Sequence, residues 1–149
     1  MLPLKRFIVL PWLLSAVVMY GVSWVWHGYV LSDFQDLTVP RWLYLVLAGV
    51  VYLVLGLVQT ILTHKAVQYE YISLKKAFLF MAMLLSAVVG FFVYLVIFVL
   101  GMSFAKHGMA HVLADVVWQM FEQAIGGLMV SLGIIHDMHQ RFLEQERAH

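Results

Sequence analysis

The sequence predicts an all-α fold: an antiparallel bundle of four transmembrane helices with both termini in the cytoplasm. Three observations predict it. The 149 residues are 64% hydrophobic and 11% charged, with a mean hydropathy of +0.92. A water-soluble domain carries about half apolar and a quarter charged residues. Four stretches are long and apolar enough to cross a hydrocarbon layer about 30 Å thick, which takes about 20 helical residues. The basic residues cluster on alternate connections, the bias that sets orientation. Together these exclude a soluble globular domain, a disordered chain and a nucleic-acid-binding protein. The lack of cysteine excludes disulfides, iron–sulfur clusters and thiol catalysis. The length fits one membrane domain, residues 1–149.

The first span covers residues 7–31 and follows Lys5 and Arg6. Pro11 falls in its first turns, where a missing N–H matters least. The basic start and the small-x-small triplet Gly21-Val22-Ser23 also suit a cleaved signal peptide, but the apolar run continues too far and Trp24 to His27 make a poor mature start. The second span covers 42–63. The third covers 77–104, holds no charge and reaches about 42 Å at 1.5 Å per residue, long enough to tilt or project. The fourth covers 112–135 and contains Asp115 and Glu122. The tail, 136–149, reads as a short polar helical extension.

Lys5, Arg6, Lys65, Lys75, Lys76, Arg141 and Arg147 fall on one side of this topology, and only Arg41 and Lys106 on the other. The positive-inside rule therefore puts both termini in the cytoplasm, with a bacterial inner membrane as the expected location. Trp12, Trp42, Tyr69 and Tyr71 lie near the expected interfaces, where amphipathic rings are favoured.

Lipid does not sort apolar side chains, but small and polar residues mark where helices meet. The first span shows Tyr20, Ser23, Trp24 and His27. The second shows Gly49, Tyr52, Gly56, Gln59 and Thr63, at alternating steps of three and four that fit a left-handed seam. The third shows Ser86, Gly90, Tyr94 and Gly101. The fourth shows His111, Asp115, Trp118, Glu122, Gly126 and Gly133. Gly49, Gly56, Gly90, Gly126 and Gly133 are expected to serve helix packing. One inward face per span makes an antiparallel four-helix bundle.

Glu122 is the most informative residue. It lies about 15 Å inside the fourth span, near the middle of the bilayer. A charge there is unfavourable by about 2.5–3.5 kcal/mol, so the side chain should face the bundle interior. Tyr20 and Tyr52 are expected at the same depth, and either phenol could hydrogen-bond it; Gln119 and Gln123 share its helix. Two readings follow: a proton or substrate site, or a structural hydrogen bond holding the fourth helix in register.

A second candidate cluster lies at the outer face. His107, His111 and Asp115 recur at steps of four, and His27 and Asp33 sit where the first span ends. Such a set could ligate zinc, iron or copper. The stretch His107-Gly-Met-Ala-His111 has the spacing of a zinc-protease helix but lacks its glutamate. A two-haem arrangement, His27 with His111 and His64 with His136, would put His111 and His136 about 37 Å apart, more than the hydrocarbon thickness. The third span also offers no histidine, so haem is not expected. His136 and His139 would cap the inner end of the fourth helix.

No G-x-S-x-G, phosphate-binding glycine loop or carboxylate pair at equal depth occurs. Trp26-His27-Gly28 at the end of the first span, with Trp118-x-x-x-Glu122-x-x-x-Gly126 in the fourth, resembles small four-helix membrane proteins of bacteria. That resemblance implies the fold but no assigned chemistry. The expected function is that of a small structural or accessory membrane protein, packing against itself or a larger complex in the bilayer. The alternative is a binding or transport protein for a metal ion, a proton or a small lipid-like ligand. It would use Glu122, Tyr20, Tyr52 and Gln119 inside and His27, His107, His111 and Asp115 at the outer mouth.

Overall fold

The computed structural model describes residues 4–30, 33–35, 37, 39–75, 77–99 and 109–148. Among these the chain is all-helical, with short connections and no strand. α1 (Leu4–Val25) runs into a π-helical turn at Trp26–Val30. A 3₁₀ turn at Asp33–Gln35 leads to α2 (Arg41–Gln68), followed by α3 (Phe78–Val99) and α4 (Met109–Arg147).

Three helical segments are long and apolar enough to cross a membrane: Ile8–Val30, Arg41–Gln68 and Phe78–Val96. The chain itself buries only 28%, 17% and 22% of their most apolar windows. Exposed apolar surface of this kind is unusual for a water-soluble monomer and is compatible with a lipid surround. α4 is not among the three, so the expectation of a fourth apolar span over 112–135 is not met by composition. Asp115, Gln119, Glu122 and Gln123 interrupt its apolar sequence.

The helices meet unequally. α4 packs along α3 and α1 and also touches α2; α1 and α2 form the other large contact, while α2 and α3 barely meet. α1 and α4 run antiparallel, with Pro11 opposite Gly133, Met19 opposite Gly126 and Trp26 opposite Trp118. On the other side of α4, Ala82 and Ser86 of α3 face Gly127, and Gly90 faces Gln119 and Gln123. The missing side chains let the backbones approach. A Cβ on Gly133 would stand 2.7 Å from Pro11 Cα, and one on Gly90 would stand 2.8 Å from Gln123 Cγ. A Cβ on Gly56 would stand 3.0 Å from the Trp12 carbonyl. Gly49 departs from this pattern: nothing lies within 4 Å of a Cβ there. Among the described residues, the packed face of α2 therefore includes Gly56 and Tyr52, and Gly49 has no close neighbour there.

Several boundaries differ from the sequence reading. α1 begins at Leu4, which moves Pro11 into the helix interior. Its missing N–H leaves the Phe7 carbonyl without the usual helical donor, and Pro11 is buried against α4 instead. α4 is continuous to Arg147, because its polar tail keeps helical spacing. His136 and His139 therefore sit on the exposed surface of an unbroken helix and cap nothing. Trp12 is turned into the α1–α2 contact, donating its indole N–H to the Leu53 carbonyl at 2.7 Å. The expected end of the third span at residue 104, with Gly101, lies outside the described residues.

The α2–α3 connection closes on a left-handed residue. Glu70 has φ 60°, its N–H donates to the Val67 carbonyl at 3.1 Å, and Ile72 N–H donates to the Ala66 carbonyl at 3.1 Å. These bonds satisfy carbonyls that a helix end leaves open. They also tuck Ile72 into a small core with Ala66, Phe78, Val130 and Ile134.

Candidate functional site: a buried polar core between three helices

Two layers of polar side chains join α1, α2 and α4. In the first, Ser15 donates its hydroxyl to Gln59 Oε1 at 3.1 Å. Gln59 Nε2 donates to Gln123 Oε1 and, at 3.3 Å, to the Gln123 carbonyl. All three residues are fully buried. Gly126 makes room for this link, since a Cβ there would stand 2.5 Å from Gln59 Oε1 and 3.0 Å from Met19 Cγ. Polar side chains in apolar surroundings need partners within the protein. Here one glutamine amide ties the second helix to the first and the fourth.

The second layer is built around Glu122, whose side chain is 1% exposed. The Tyr52 hydroxyl lies within hydrogen-bonding reach of the Glu122 carboxyl on one side and Ser23 on the other. Tyr20 does not share that role. Its hydroxyl donates to the Leu45 carbonyl at 3.1 Å, and its ring meets Tyr52 edge-on at 6.0 Å. The Trp118 indole is turned toward the same carboxyl. It stacks on Trp26 with ring centroids 3.8 Å apart and planes 12° from parallel. Trp118 Nε1 and Glu122 Oε1 are both buried without a well-formed hydrogen bond. His27, on the π-helical turn, lies near enough to Glu122 to interact with it electrostatically.

Beside this layer is a cavity of about 10 Å³, lined by Tyr20, Ser23, His27 and Tyr44 among others. That is about the volume one water occupies. Phe34, from the connection between α1 and α2, also lines it, its ring 2.7 Å from where a Cβ on Gly28 would stand. The Arg41 guanidinium lies over that ring, 5.0 Å from its centroid.

The structure therefore brings Glu122, Tyr52 and His27 together and leaves other candidates elsewhere. Gln119 stands on the side of α4 turned to α3, its carbonyl 2.9 Å from where a Cβ on Gly90 would be. Asp115 is half-buried two turns from Glu122 on α4. His107 and the side chains of His111 and Asp33 lie outside the described residues. Among the described residues no three histidine or carboxylate side chains converge as a metal set.

The sequence reading missed two links. Ser15, Gln59 and Gln123 join three helices, and the signal was present in Gln123, a second amide in a largely apolar helix that needs a partner. The stacking of Trp26 on Trp118 had no such signal, because it depends on the π-helical turn and on the register of α1 against α4.

The fold and this core define a small all-helical protein with three helices apolar enough to cross a membrane and a buried acidic site. No family model, curated protein or solved structure matches the chain.

Proposed function

We propose that all four helices cross the membrane and that the protein is a structural or accessory subunit of a membrane assembly. We place both termini in the cytoplasm of a bacterial cell, with the bundle in the inner membrane. The observation that carries this reading is the polarity of α4. Glu122, Gln123 and Ser131 are turned inward and are at most 1% exposed, while Leu113, Val117 and Phe121 are turned outward and are more than half exposed. A helix on the surface of a soluble protein does the reverse. An inside-out amphipathic helix suits a lipid surround, in which polar groups find partners only in the bundle. The polar residues thus hold helices together, and the cavity beside them has the volume of one water. The basic residues Lys65 and Lys75 near the α2–α3 connection and Arg141 and Arg147 on α4 support the orientation.

The cysteine-free chain makes the test direct. Single cysteines replacing Lys75 and Glu144 should be labelled by an impermeant maleimide only after the cytoplasmic side is opened. One replacing Phe121 should stay unlabelled and be quenched by nitroxide lipids. Labelling of the Glu144 position from the opposite side to Lys75 would overturn the topology. The accessory role is tested by the mass of the particle extracted in mild detergent, and a bare monomer under every extraction condition would exclude it.

A further inference from the structure

We propose that Glu122 is a proton-binding site loaded from the Trp26–Val30 end of the bundle, with His27 as the entry group and Ser23 and Tyr52 as the relay. The carboxyl is 1% exposed, and its Oε1 has no well-formed hydrogen bond among the described residues. An ionisable group so placed within a membrane bundle is functional by default. The groups turned toward it come from each neighbouring element. From the end of α1 come His27 and Ser23; from α2 comes Tyr52, with Tyr44 beside it; on α4 itself comes Trp118. α3 carries no charged residue, and Tyr94 is its one titratable side chain. Asp115 stands about 10 Å along α4.

The size of the adjoining space selects the ligand. Ser23 and His27 both line the cavity of about 10 Å³, which admits a water-sized guest and nothing larger. One carboxylate and one imidazole also fall short of the four ligands of a closed zinc site. A proton needs neither volume nor a ligand shell. Imidazole is the side chain best suited to exchanging protons near neutral pH.

The transfer balances. His27 in its imidazolium form gives up an N–H proton toward the cavity and becomes neutral imidazole, with Glu122 starting as the carboxylate. Ser23 takes up one proton on its oxygen and passes its own hydroxyl hydrogen to the Tyr52 oxygen. Tyr52 passes its hydrogen to a Glu122 oxygen. One N–H bond breaks at His27, one O–H bond forms on Glu122, and both hydroxyls are regenerated. Rotation of the two hydroxyls resets the relay. This proton site rests on the reading that the bundle spans the membrane, and not on what the bundle packs against.

Infrared difference spectroscopy on the full chain in proteoliposomes, with carboxyl-labelled glutamate and a pH jump, tests the proposal. The expected result is a glutamic acid carbonyl band that titrates and is absent in Glu122→Gln. Tyr52→Phe should shift that band and slow its appearance by about a hundredfold, the scale of a positioned proton-transfer group. Ser23→Ala should slow it too. No titrating band, a band that survives Glu122→Gln, or wild-type rates in both relay variants would overturn the proposal. If Glu122→Gln does not fold, as judged by near-ultraviolet dichroism, the relay variants decide. A shifted and slowed band supports the site, and an unchanged one removes it.

Discussion

Trp26 and Trp118 lie face to face, their ring centroids 3.8 Å apart, and Trp118 is one helical turn from Glu122. The stack joins the π-helical turn to α4 at the level where the carboxyl is buried. It fixes how far α1 has advanced past α4, and so which α1 residues stand next to Glu122. A double-mutant cycle on Trp26→Leu and Trp118→Leu should give a coupling of about 1 kcal/mol, the excess typical of an aromatic pair. Unfolding in mixed detergent–denaturant micelles would measure it. Either single variant should also abolish the near-ultraviolet dichroism of the coupled indoles. A coupling near zero would mean that the rings do not pack in the membrane.

Two glycines that look alike in sequence should behave oppositely. Gly126→Ala would drive a Cβ into Met19 and Gln59 and should lower stability by about 1–3 kcal/mol, the usual effect of overpacking. Gly49→Ala meets nothing within 4 Å and should be neutral or stabilise by up to about 1 kcal/mol through helix propensity. Thermal unfolding of the two variants side by side checks both signs.

The amide link between α2 and α4 should be modest but measurable. Gln59→Leu and Gln123→Leu should each destabilise, and their cycle should yield about 0.6–1.7 kcal/mol, the range found for hydrogen bonds between membrane helices. Ser15→Ala should have a smaller effect, because it removes one donor from Gln59 Oε1 and leaves both Gln123 bonds in place.

The turn after α2 offers a stabilising change. Glu70 holds a left-handed φ of 60°, a conformation unfavourable for a residue with a side chain and easy for glycine. Its side chain is exposed. Glu70→Gly should therefore raise stability by up to about 1 kcal/mol, read as a higher unfolding midpoint. A fall instead would show that the carboxylate contributes a contact at the turn.

The sequence by itself determined that this chain is helical and rich in long apolar segments. Ile8–Val30 and Phe78–Val96 are long and apolar enough to cross a bilayer. It also singled out Glu122 and the polar face of α4, because an isolated carboxyl in an apolar stretch needs partners within the protein. Tyr52 and Tyr20 were equivalent at that level, since counting turns gives depth but not azimuth. Tertiary structure decided between them, sending the Tyr20 hydroxyl to the Leu45 carbonyl and the Tyr52 hydroxyl toward Glu122. It likewise separated Gly49 from Gly126, joined Ser15 to Gln59 and Gln123, and carried His27 to the acidic site. Each of these depends on the rotation and offset of one helix against another. In lipid those are set by the fit of small residues and by hydrogen bonds between helices far apart in sequence, and hydropathy along a single helix contains neither.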